Sequence, residues 1–142
     1  MRSPTISVRK GHRGSAVTLA VWILGFLVGT GSHIVDLAIG GLNTYAQFPT
    51  GLRIYWVSLT FLDPLTIALL ALRRRVGVVL GLAVILSDIT VNWTVYLTVS
   101  GNPLWGLVNQ TVFAAIVVTT SPILWRRFGG DAHQDATDRL SP

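Results

Sequence analysis

The stretch that decides the fold is "LTIALLALRRRVGVVLGLAVIL", residues 65–86. Two apolar runs without a charge meet head to tail at Arg73, Arg74 and Arg75. Three adjacent arginines do not fit inside a soluble core, where a buried charge needs a partner. They do fit a lipid headgroup layer, with an apolar helix leaving it on either side. The windows that flank them are 52–72 and 76–99. Beyond "SGNP" at Ser100–Pro103 a fourth window, 104–125, ends at Arg126 and Arg127. Toward the N-terminus lies "AVTLAVWILGFLVGTGSHIVDLAI", residues 16–39. A helix rises 1.5 Å per residue, so about 20 residues cross a hydrocarbon core of about 30 Å. Each window is long enough. "GGLNTYAQFPTG", residues 40–51, separates the first two and carries Tyr45 and Phe48 among turn residues. It reads as an interfacial loop.

Composition agrees. Of 142 residues, 51% are hydrophobic and only 12% charged, against about 25% charged in soluble domains. With no cysteine, disulfides and thiolate metal sites are excluded. Arginine replaces lysine almost throughout and glutamate is absent, a bias expected of a GC-rich, bacterial genome. The net charge of +5 does not indicate nucleic acid, because the arginines sit at the ends of apolar windows. No phosphate-binding glycine motif or nucleophile elbow occurs. His33 and Asp36 supply too few ligands for a metal, and no cofactor is expected.

Basic residues set the topology. Arg2, Arg9, Lys10 and Arg13 precede the first window, the three arginines join the second and third, and Arg126 and Arg127 follow the fourth. The first connection has only Arg53 at its edge and the third has none. Positive residues favour the cytoplasm. The expectation is an all-α integral membrane protein of the plasma (inner) membrane: a four-transmembrane-helix bundle with both termini cytoplasmic. Residues 1–14 form a basic tail, 15–127 the membrane domain, and 128–142 a polar, disordered tail. Trp105 and Tyr96 near the outer ends and Trp125 near an inner end suit aromatic belts. The basic start and small residues near Gly29–Ser32 also fit a cleaved signal peptide, but the window stays apolar beyond them.

Three acids lie inside apolar windows: Asp36, Asp63 and Asp88. A charge at the bilayer centre costs about 2.5–3.5 kcal/mol, whereas one Leu, Ile, Val or Phe returns about 0.3–0.6. Such acids usually face the bundle interior and serve function. Asp63 and Asp88 fall near the midplane. Asn92 lies one turn from Asp88, and His33 and Asp36 share a face in the outer half of span one. Asn109 and Gln110 lie in the outer half of span four. Pro64 removes a helix hydrogen bond near Thr60, and Trp56 and Thr60 share that face. Polar groups from every span therefore define one slab, from midplane to outer surface, as a pocket opening outward. Structural roles compete with this reading. Asp36 can pair with Arg53, His33 can bond a neighbouring span, and Asn92, Asn109 and Gln110 can join helices at about 0.6 kcal/mol each. Pro64 can be a packing kink. Gly77 and Gly81 suit close helix packing or a homodimer.

"GSHIVDL" and "YWVSLTFLDPL" resemble small four-span bacterial membrane proteins of unassigned function. They also resemble the EXPERA group of emopamil-binding sterol isomerases and sigma-2 receptor proteins. Ser32–His33 and Phe61-x-x-Pro64 match that group's pattern. Its upstream acid is replaced by Ser58, and an acid stands instead at Asp63. The resemblance implies a four-helix membrane unit and a sterol- or lipid-like ligand, and transfers no catalytic residue.

Three functions follow as expectations. The first is a binding protein or membrane accessory subunit holding a lipid or other apolar molecule. The second is an intramembrane isomerase using Asp63, Asp88 and His33 for proton transfer. The third is a small proton-coupled transporter acting as an oligomer. The expected partners are the bilayer, an apolar ligand, and a second copy or another membrane protein.

Overall fold

The computed structural model describes residues 5–99 and 104–138, with side chains over 13–99 and 104–130. The described residues form four helices: α1 (Thr5–Gly40), α2 (Thr50–Ala71), α3 (Arg75–Thr98) and α4 (Leu104–Asp138). All four are long and apolar enough to cross a membrane. A single 3-10 turn, Gly41–Asn43, begins the first connection. Expected spans and observed helices coincide within a few residues except at the chain ends. There α1 runs back to Thr5 and α4 on to Asp138, through segments read as tails. No proline interrupts either extension, and adding residues to an existing helix is far easier than nucleating one. The "SGNP" break lies outside the described residues.

Each helix packs beside its neighbour in sequence, and α4 closes the ring against α1 along the sparsest seam. At one end of the bundle, Arg127 Nη1 donates to Ser15 Oγ at 3.2 Å, and Arg75 Nε donates to the Trp125 carbonyl at 3.2 Å. The start of α1, the α2–α3 turn and the late part of α4 thus gather at one basic end.

Why the α2–α3 turn is so short can be read from its backbone. Arg74 N donates to Leu69 O and Arg73 N to Leu70 O, both at 2.9 Å. This paired closure satisfies the last carbonyls of α2, with the left-handed residue that ends such helices. That residue is Arg73, with φ +53°. The Arg75 guanidinium lies 4.9 Å from the Trp125 ring centroid, a cation–π contact at the interface level.

The interior follows helical spacing. On α2 the buried residues are Trp56, Leu59, Asp63, Thr66 and Leu70. These recur every three or four residues and form one stripe. On α3 the stripe includes Gly77, Val78, Gly81, Val84, Ile85, Asp88 and Val95. Trp22 and Phe26 of α1 meet them, as do Val117 and Leu124 of α4. A Cβ at Gly77 would come within 2.9 Å of the Leu69 and Leu70 backbone, and one at Gly81 within 3.1 Å of Trp22. The glycine pair therefore closes seams within the bundle, rather than forming the face of a homodimer. The opposite faces expose Leu24, Val28, Ile39, Ile54, Phe61 and Leu97. That apolar exterior suits lipid, where packing and hydrogen bonds, not hydrophobic burial, hold helices together.

Candidate functional site

Below their midpoints, toward the basic end, the helices pack solidly around Trp22, Leu70, Val78, Val117 and Leu124. Above, they part around a cavity of about 610 Å³. Nine residues were expected in one polar pocket. His33, Asp36, Trp56, Asp63, Asp88, Asn92, Asn109 and Gln110 all line this cavity. Thr60 does not, because the buried stripe of α2 passes through Leu59 and Asp63 and leaves Thr60 on its shoulder. Its Oγ1 is nonetheless buried without a partner. Pro64 sits within α2, which continues unbroken from Thr50 to Ala71.

The polar groups divide into a bonded set and an unbonded set. Trp56 Nε1 donates to Asn92 Oδ1 at 3.1 Å. Asn92 Nδ2 donates to Asp88 Oδ1 and to Gln110 Oε1, each at 2.9 Å. Gln110 Nε2 donates to the other oxygen of Asp88. One network thereby joins α2, α3 and α4, and both Asp88 oxygens are engaged. Asp63 differs. It is buried, with 5% exposure, and among the described residues no side chain donates to it. Its Oδ2 rests against α1 at Gly29, where a Cβ would approach to 2.7 Å. His33 Nδ1 is buried without a partner. Asn109 is exposed at the cavity's edge.

Asp36 and Arg53, which the structural alternative paired, take other partners. Tyr45 OH donates to Asp36 Oδ2 at 2.6 Å, while Arg53 Nη2 donates to the Leu42 carbonyl at 3.1 Å. Tyr45 reaches Asp36 because its backbone is left-handed, φ +59°. Burial pushes the Tyr45 phenol well above its ordinary range, and the bond to Asp36 adds to this. The Tyr45 and Phe48 rings lie 5.0 and 4.9 Å from Trp56, centroid to centroid. The first connection thus folds over the cavity as an aromatic cover. Sequence reasoning placed both rings at the interface but not in the site. Their spacing within a turn-rich segment gives no face to read.

Phe26, Val84, Ile85 and Phe113 complete an apolar lining. The last ring contact between α1 and α4 on this side is Phe26 with Phe113, at 5.5 Å. Beyond it Val28, Ser32, Gly106 and Asn109 line the cavity and are exposed. The cavity therefore opens sideways between α1 and α4. Among the described residues no lysine or arginine lines it. Among the described residues no cluster of side chains could hold a metal ion.

A comparison with protein-family models, curated proteins and solved structures finds no match. Function must therefore be read from the site itself.

Proposed function

We propose that this chain is a multi-pass protein of the plasma membrane, with both termini cytoplasmic, that binds a lipid or other apolar small molecule in the outer half of the bilayer. The observation that carries the reading is the cavity. Its volume of about 610 Å³ falls in the range of small-molecule sites, about 300–1,000 Å³. Most of its wall area is apolar and aromatic, and polar groups from every helix converge on it, the combination expected of such sites. The sideways opening between α1 and α4 faces hydrocarbon rather than water in this orientation, so the ligand arrives from the membrane. Asp63 is buried on the cavity wall and His33 Nδ1 is buried without a partner, and these two groups supply the polar contacts that orient it. Asp88 belongs to the network that holds α3 to α4.

The test is mass spectrometry of the lipids and small molecules that purify with the protein. Asp63→Asn should keep the folded, monodisperse state and lose one bound species. Identical profiles for wild type and variant would reject Asp63 as a ligand contact.

A second reading rests on the same two groups. An acid on α2 and an imidazole on α1, both lining the cavity, could move a proton on a bound lipid. In that case a modified lipid appears in membranes containing wild type, and only its precursor in membranes containing Asp63→Asn.

A further inference from the structure

Donors and acceptors around the cavity are unevenly engaged. The interior donors are bonded within the protein. Trp56 Nε1 donates to Asn92, Asn92 Nδ2 to Asp88 and Gln110, and Gln110 Nε2 to Asp88. Tyr45 OH donates to Asp36 at 2.6 Å, and Ser32 Oγ to the Gly29 carbonyl at 2.8 Å. Acceptors are left over. Asp63 is 5% exposed and takes no hydrogen bond from a described side chain. Its Oδ2 stands against Gly29, and His33 lies one turn, about 6 Å, further along α1. His33 Nδ1 is buried and unpartnered. An ionised carboxylate only accepts, whereas an imidazole nitrogen accepts or donates according to its tautomer. Buried acceptors left unmet are destabilising, so a ligand that donates to them gains affinity. Asp36 and Asp88 add two carboxylates to the same wall, and among the described residues no lysine or arginine faces them. Carboxylates repel a phosphate strongly where the dielectric is low. The amides of Gln47 and Asn109 are exposed at the edge.

Resting on the ligand reading above, we infer that the ligand is an amphiphile whose head carries hydrogen-bond donors, a hydroxyl or an amine, and no negative charge. The head donates to Asp63 and meets His33. The apolar body lies against Phe26, Val84, Ile85 and Phe113, which line the cavity. Phosphate-headed lipids are excluded.

The whole chain, purified in detergent, is offered probes that share one hydrocarbon chain: oleyl alcohol, oleylamine, oleyl methyl ether and oleyl phosphate. Retention is measured by native mass spectrometry. Wild type should hold the alcohol, the amine or both roughly tenfold better than the ether and the phosphate. An excess of amine over alcohol that disappears in Asp63→Asn identifies an ammonium head, and equal retention of the two identifies a hydroxyl. Asp63→Asn should weaken the preferred probe by roughly tenfold and leave the weak retention of the ether unchanged, which a damaged fold would not do. Ether held as well as alcohol and amine overturns the need for a donor. Phosphate held as well as they are overturns the exclusion of anions. The wild-type ranking preserved in both Asp63→Asn and His33→Leu overturns the assignment to these two groups. Wild type that retains none of the probes rejects the ligand reading itself, and the donor head with it. Should Asp63→Asn fail to fold, the wild-type ranking and His33→Leu decide the matter.

Discussion

Asp63 and Asp88 are the same residue type at similar depth in neighbouring helices, yet their surroundings give them different work. Asp88 accepts from Asn92 and Gln110 and is spoken for, while Asp63 is buried without a donor. Replacing Asp88 by Asn keeps one acceptor oxygen and sets an amide NH2 against the donor of either Asn92 or Gln110. Its cost should be about 1–3 kcal/mol, visible as a lower unfolding temperature in detergent. Asp63→Asn disturbs no protein bond and should fall well short of that. Tyr45 gives a pH-dependent prediction. Its phenol is raised above the ordinary value of about 10. Between that value and the folded one, the unfolded chain loses the proton and the folded chain keeps it. Stability from this group is therefore complete below pH 10 and falls as pH rises beyond it. Tyr45→Phe should lower stability by about 1 kcal/mol at neutral pH and flatten the alkaline decline. Thermal unfolding of both proteins from pH 7 to 11 checks this, and parallel alkaline slopes would refute it. Arg73 offers the opposite change. Glycine accepts its left-handed backbone without strain, so Arg73→Gly should raise stability by about 1 kcal/mol.

At the scale of the helices, indole N–H groups fasten the seams. Trp22 donates to Thr120 at 2.9 Å, Trp56 to Asn92 at 3.1 Å, and Trp93 to Thr111 at 3.0 Å. These bonds join α1 to α4, α2 to α3 and α3 to α4. Glycines do the complementary work of close approach. Gly77→Leu would drive a side chain into the α2 backbone and should destabilise by about 3 kcal/mol or more. Gly31 has nothing within 4 Å of a built Cβ, so Gly31→Leu should be tolerated in the same thermal assay. The four spans and their inward stripes were legible in the sequence, because apolar windows and a three-to-four spacing are properties of single helices. Eight of the nine expected pocket residues reached the cavity wall for the same reason. Thr60 missed it because a stripe has two shoulders, and spacing alone does not choose between them. The Asp36 partner was illegible for another reason. It depends on the left-handed turn at Tyr45, and no helical period encodes a loop conformation. The helical ends of α1 and α4 were hidden because charge marks where lipid ends, not where a helix does.

The whole molecule has two ends of different chemistry. One gathers arginines, and the other opens a wide cavity beneath an aromatic cover. Which end faces the cytoplasm determines which leaflet supplies the cavity. Positive residues favour the cytoplasmic side. That orientation places the arginines against the inner leaflet and the large cavity in the outer one. The absence of cysteine in the sequence makes this directly measurable. Gln47 and Arg74 are exposed at opposite ends of the bundle, so single substitutions Gln47→Cys and Arg74→Cys each introduce one reporter. A membrane-impermeant thiol reagent applied to intact cells should label Gln47→Cys at once. Arg74→Cys should react only after the membrane is permeabilised. The reverse pattern would turn the molecule over and send the large cavity's ligand in from the inner leaflet. Immediate labelling of both would remove the membrane barrier between the two ends, and with it the reading of α1 to α4 as complete spans.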